Sequence, residues 1–209
     1  MKPIIIVNFK TYKQGKNAVN LAKKIEIVDK NILVGVQASD IYEIVKKTKL
    51  KVYSQHVDYL EKGRATGFVL PEAVKSDKAV GSFLNHSEHK LRFDILKKTI
   101  KRCNAVGLNS VVFASSLKEA LKIEKLKPNY LVIEPPELVG GKVSVSESKP
   151  ELISEIKRKL KMKFLVGAGI HSFEDMKIAM KLGASGIAVS SAICNVKNPE
   201  KKLRELVKG

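Results

Sequence analysis

Eight times along this chain a short apolar run is followed by a stretch of helical periodicity, and this repetition restricts the fold more than any single residue does. The runs are IIIV (4–7), ILVGV (32–36), KVYSQ (51–55), AVGSF (79–83), SVVFA (110–114), YLVIE (130–134), KFLVGA (163–168) and SGIAVS (185–190). Most are continuous and rich in Val and Ile, the pattern of strands buried on both faces of a parallel sheet. Helical patterns fall between them at 16–29, 40–48, 68–76, 88–106, 116–126, 149–161, 172–182 and 198–208. Lys149-Pro150, Asn198-Pro199 and Ser172 supply helix starts. Alternating strand and helix imply an α/β fold with a parallel sheet. Eight such units imply a closed (β/α)8 barrel, here with trimmed helices, because 209 residues is short for that fold. An open doubly wound sheet is the alternative, but no GxGxxG follows the first run.

No linker or change of composition interrupts the pattern, so residues 1–209 read as one domain. The apolar run in MKPIIIVNFK is too short for a signal peptide or membrane span, which gives the expectation of a cytoplasmic protein without membrane attachment. Cys103 and Cys194 lack CxxC partners and read as buried thiols. The net charge of +18 raises nucleic acid as a partner. However, the lysines are dispersed over nearly every helix and aromatics make up only 6%, so no stacking platform shows. Solvated helix faces account for the charge better. A basic nucleic-acid-binding scaffold therefore stands only as an alternative, and no specific nucleic acid is expected.

In such barrels chemistry gathers at the C-terminal ends of the strands. Asn8 and Lys10 follow the first run, and alternation puts them on one side, a cation aimed at an anionic substrate. His86, Ser87 and Glu88 follow the fourth. With a helix expected from residue 88, the ring of His86 should meet free backbone N–H groups and a helix dipole, which favour the neutral imidazole. Glu88 can satisfy that dipole, anchor Lys10, or do both. Glu134 ends the sixth run and is stiffened by Pro135-Pro136, while Gly140 and Gly141 lie at the far side of the loop, the outline of a hinged lid. Gly167, Ala168 and Gly169 follow the seventh run, and Ser190, Ser191 and Ala192 the eighth. Small residues there let backbone N–H groups approach a phosphate. The four histidines do not form a ligand-spaced set with the carboxylates, so neither a metal nor another cofactor is expected.

With these residues in view, the chain resembles the triosephosphate isomerase family, and more closely its short archaeal form. The likeness covers almost the whole chain and rests on NFKTY (8–12), NHSEHK (85–90), IEPPELVG (133–140), VGAGI (166–170) and SSA (190–192). It implies a TIM barrel that interconverts dihydroxyacetone phosphate and glyceraldehyde 3-phosphate in glycolysis and gluconeogenesis. Carried over by motif, Glu134 becomes the catalytic base, His86 the electrophile, and Lys10 and Asn8 the electrostatic and substrate-binding pair. Ser87 and Glu88 become their support, and Gly140, Gly167, Gly169, Ser190 and Ser191 the binding segments. SQHVDYLEKGRATG (54–67) is similar to the loop that enters a neighbouring subunit, which implies at least a homodimer, and the short archaeal type implies a homotetramer. Gly141 and Lys142 depart from the family's usual Thr-Gly, Ile133 from its tyrosine, and Ala192 and Ile193 from its Gly-Val. Another phosphate-binding barrel isomerase or epimerase is the alternative enzyme. Asn8-Phe9-Lys10 fills the place where one such isomerase needs a cysteine, and the metal ligands of an epimerase are not found.

Overall fold

The computed structural model describes residues 2–135, 137 and 144–208. Its strands are β1 (Ile4–Asn8), β2 (Leu33–Val36), β3 (Lys51–Ser54), β4 (Gly81–Leu84), β5 (Asn109–Ala114), β6 (Tyr130–Ile133), β7 (Phe164–Val166) and β8 (Gly186–Val189). All neighbours pair in parallel, and β8 returns to β1, closing an eight-stranded barrel as the sequence pattern implies. The helices are α1 (Gly15–Val28), α2 (Ile41–Lys47), α3 (Pro71–Ser76), α4 (Phe93–Ala105), α5 (Leu117–Glu124), α6 (Val145–Ser148), α7 (Pro150–Lys159), α8 (Phe173–Lys181), α9 (Ser191–Cys194) and α10 (Pro199–Lys208). The expected starts hold: Pro150 and Pro199 open their helices, and Ser172 caps α8 in a reciprocal capping box with Asp175. The short α6 and α9 and a 3-10 turn at Ala38–Asp40 were not visible in the periodicity, because four residues complete barely one turn.

The expected start of the fourth helix does not hold. The helix predicted from residue 88 begins at Phe93. Asn85 adopts a left-handed conformation (φ 60°), and its Oδ1 accepts the N–H of Leu91 at 3.0 Å. That bond closes residues 85–91 into a loop and delays the helix.

Alternation along the strands divides the apolar residues into two clusters. Ile6, Leu33, Tyr53, Phe83, Val111, Phe113, Val132, Leu165 and Ala188 fill the barrel interior. Ile5, Val7, Val34, Val52, Val112, Ile133 and Val166 face outward against the helices. Aromatics are accommodated inside only where small residues lie opposite: a Cβ on Gly35 would stand 2.0 Å from the Phe83 ring. Phe83 in turn packs edge-on to Phe113, with ring centroids 5.4 Å apart. Both cysteines are buried free thiols, as expected, and burial pushes each up to about 12. No helix among the described residues is long and apolar enough to cross a membrane.

Phe83 is thus a keystone of the interior. Phe83→Ala should cost about 3–5 kcal/mol, the usual penalty for emptying an aromatic site. Urea denaturation at fixed protein concentration measures it, and a loss below about 1 kcal/mol would mean that the barrel collapses onto the space.

Candidate active site

The C-terminal ends of the strands bring Asn8, Lys10, His86, Glu88, Glu134, Gly169, Ser190 and Ser191 to one mouth. A cleft of about 550 Å³ on the β1–β4 side is lined by Asn8, Lys10, Tyr12, Gln55, His86, Glu88 and other residues. A smaller cavity of about 40 Å³ on the β6–β8 side is walled by Asn8, Lys10, Tyr12, Glu134, Gly169, Ser190 and Ser191, among others. The two share Asn8, Lys10 and Tyr12, so they meet at the end of β1.

Asn8 and Lys10 do lie together, but not through strand alternation. β1 ends at Asn8, and Lys10 has turned into the left-handed region with φ 45°. The Asn8 side chain makes this turn possible, because its Oδ1 accepts the Lys10 N–H at 2.9 Å. Gln55 adds a brace that the sequence gave no reason to single out. Its Nε2 donates to the Lys10 carbonyl at 2.8 Å and lies 3.3 Å from Asn8 Oδ1. The Lys10 ammonium then meets Glu88 Oε1 at 2.7 Å. A non-glycine residue held at positive φ stores strain, and such residues gather at working sites. Asn85 and Ala168 (φ 73°) bring two more to the same mouth.

His86 is buried, and its ring packs edge-on against Phe113, centroids 4.8 Å apart. Because α4 starts at Phe93, the helix start expected at residue 88 is not beside this ring. A single turn N–H takes that part: Glu88 N donates to His86 Nδ1 at 3.1 Å. A backbone N–H can only donate, so Nδ1 accepts and the proton of a neutral ring sits on Nε2. That atom lies 2.9 Å from Glu134 Oε2. The approach lacks hydrogen-bond alignment, so two buried polar atoms face each other with no hydrogen-bond partner among the described residues. Orphaned buried groups of this kind are costly, and functional sites are where they are kept.

Glu134 is itself buried at the end of β6. Gly167 stands against its carboxylate: a Cβ there would lie 2.9 Å from Oε1. Gly167 is therefore a neighbour of the acid, while Gly169 (φ 68°), Ser190 and Ser191 line the small cavity. The Ser190 hydroxyl donates to the Asn8 carbonyl at 2.7 Å, tying the end of β8 to that of β1. Gly140, with Gly141 and Lys142, lies outside the described residues. Ser87 stands in the turn between His86 and Glu88. Among the described residues no group of three or more His, Cys, Asp and Glu is gathered to hold a metal ion.

The profile of one protein family matches residues 3–208, and its description is triosephosphate isomerase. The chain belongs to the triosephosphate isomerase family. It is 41% identical to the triosephosphate isomerase of Sulfolobus acidocaldarius, over 99% of this chain and 94% of that one. Identity to the Sulfurisphaera tokodaii protein of the same description is 42%, covering 98% and 94% of the two chains. For that of Methanocaldococcus jannaschii it is 35%, covering 98% and 99%. Among solved structures, the triosephosphate isomerase of Bartonella henselae superposes with a TM-score of 0.74 at 15% identity, over 93% of this chain and 94% of that one, a likeness of fold. Membership makes this chain an isomerase by descent, and the mouth of the barrel is where a site of that family is sought.

The turn that carries His86 hangs on Glu119 of α5. Asn85 Nδ2 donates to Glu119 Oε1 at 2.9 Å, and Lys90 pairs with the same oxygen at 2.6 Å. Burial raises the Glu119 carboxyl, but Lys90, the Ser115 N–H and Asn85 outweigh it and hold the group below its ordinary value. A native-state value below that of the unfolded chain stabilises the fold above the unfolded value of 4.5, and the benefit is lost as pH falls through the depressed one. Glu119→Gln should therefore lower the melting temperature at pH 7, and the gap to the parent should narrow below pH 4.5. Equal gaps at pH 7 and in the acid range would show that the charge of Glu119 is not what holds the turn.

Proposed function

We propose that this chain, acting as one barrel domain, interconverts dihydroxyacetone phosphate and glyceraldehyde 3-phosphate in the cytoplasm, with Glu134 as base and neutral His86 as electrophile. The supporting observation is that Glu134 Oε2 and His86 Nε2 face each other across 2.9 Å, with His86 Nδ1 taken by the Glu88 N–H and a strained lysine beside them. Triosephosphate isomerase is itself the reference case for this pairing of glutamate and uncharged histidine.

The chemistry follows from the donors available. Substrate enters between the two groups and parts them. Glu134 removes a proton from the carbon beside the carbonyl, the electrons move to oxygen, and an enediolate forms. The His86 Nε2–H donates to its oxygens, and the Lys10 ammonium, with Asn8 beside it, stabilises the charge. Glu134 then returns the proton to the adjacent carbon, while the hydroxyl proton passes, relayed through His86 Nε2, from the former hydroxyl oxygen to the former carbonyl oxygen, so that the carbonyl and hydroxyl exchange places. Gly169, Ser190 and Ser191 offer backbone N–H groups to the phosphate in the small cavity. Glu88 holds Lys10 by a charge pair and His86 by its backbone N–H, so one residue orients both. Gly140 belongs to the loop expected to close over the substrate.

General base catalysis is worth about 10²–10⁴-fold, and a preorganised donor about 2.7–4 kcal/mol. Glu134→Gln should reduce kcat by a factor within that range, and His86→Ala by roughly 10²–10³. A coupled triose-phosphate assay reads both. A Glu134→Gln protein keeping more than about a tenth of the parent kcat would mean that another group is the base.

The loop at 54–67 supports self-association. Asp58 clamps its base, donating N–H to the Val69 carbonyl and accepting the Val69 N–H on Oδ2, each at 2.8 Å. Residues 61–64, 66 and 67 are exposed, as are Tyr12 and Phe68 nearby in sequence to the cleft and the loop. On this reading a second copy's loop enters the wide cleft beside Lys10, which makes at least a dimer, with the tetramer as the fuller assembly. Sedimentation at micromolar concentration should show no monomer, and a lone 209-residue species would refute the assembly.

A further inference from the structure

Away from the mouth, the outer side of the β8–β1 seam holds a pocket of about 240 Å³ between α1, the end of α9 and the start of α10. Leu21, Cys194 and Pro199 are its buried residues, the exposed Val196 flanks it, and its polar lining is Lys13, Lys24, Lys197, Asn17 and Asn20. No carboxylate contributes to the wall. None of these five polar side chains has a hydrogen bond or ion pair among the described residues, although eleven lysine or arginine side chains pair with carboxylates elsewhere among them. Of the five, Lys13 is partly buried and the other four are exposed, so the pocket gathers three cationic side chains and two carboxamides with no anion of the chain in its wall.

We infer that this pocket binds a compact polyanion of the diphosphate class. The size and donor set argue for that class. The space is too small for a folded macromolecular segment and ample for two linked phosphoryl groups. Three lysines act as point charges for phosphate oxygens, and two carboxamide N–H₂ groups add directed donors. The pocket is separate from the catalytic mouth but adjoins its scaffold: Cys194, one of its walls, lies with Sγ 3.5 Å from the Asn8 carbonyl. Lys13 follows Lys10 by three residues on the same loop. Free pyrophosphate and the diphosphate tail of a nucleotide share this chemistry.

Isothermal titration of the intact protein with inorganic pyrophosphate, and separately with ADP, tests it at about 0.15 M salt, where diffuse attraction is screened. Pyrophosphate can also enter the catalytic mouth, so three proteins are compared: the parent, Lys10→Ala, and Lys24→Ala/Lys197→Ala. The expected result is binding that survives Lys10→Ala and weakens about tenfold or more in the double variant, whose isomerase activity stays at the parent level and reports its fold. Retention of ADP binding at similar affinity identifies the nucleotide tail as the source, and binding of pyrophosphate alone identifies the free anion. Binding abolished by Lys10→Ala, unchanged in the double variant, or absent altogether would overturn the inference. Failure of the base assignment to Glu134 would leave this result unaffected, because neither substituted lysine touches that group.

Discussion

Closure of the barrel is the constraint on which the rest depends. β8 pairs with β1 from Ile4 and Gly186 to Val7 and Val189. Gly186 is required there, since a Cβ would lie 2.0 Å from the Ile4 carbonyl oxygen. The closure sets Ser190 beside Asn8, residues separated by 182 positions, and their 2.7 Å hydrogen bond is made at the rim itself. From that seam the two sides of the mouth are built: the strained Lys10 turn on one side, the small-residue cavity on the other. An open sheet of the same strands would leave Asn8 and Ser190 at opposite edges.

The site is arranged by backbone more than by side-chain packing. Three non-glycine residues at positive φ, Lys10, Asn85 and Ala168, stand at strand ends around one opening. Each is held by a bond that a straight strand could not make: Asn8 Oδ1 to Lys10, Asn85 Oδ1 to Leu91, and the Ala168 carbonyl to the Val145 N–H. Strain of this kind persists only where the surroundings over-determine it. Here a rigid barrel interior does so, and Phe113 joins the two levels by packing on both Phe83 inside and His86 at the rim.

Much of the mouth was legible in the sequence. Each strand announced itself by a buried apolar run, and residues at or just beyond its end became site candidates by position, so Asn8, His86 and Glu134 were reached strand by strand. The supports were less visible. Gln55 braces Lys10 from a strand end 45 positions away, and Glu119 holds Asn85 from 34 positions away. Nothing in the local spacing marks either residue. The N–H facing the His86 ring was expected at a helix terminus and is instead the turn N–H of Glu88, because helical periodicity counts apolar spacing and cannot register the side-chain bond that keeps 85–91 in a loop.

By itself the sequence determined the count and order of the eight strand–helix units, their burial on both faces, and which residues stand at the strand ends. These properties are set within a window of a few neighbours, where apolar spacing and capping act. The tertiary structure alone decided which of those ends face each other, how Gly167 came to lie against Glu134, and which backbone N–H fixes the His86 tautomer. Those outcomes depend on contacts between distant segments, and they exist only once the sheet has curled far enough for its last strand to bond to its first.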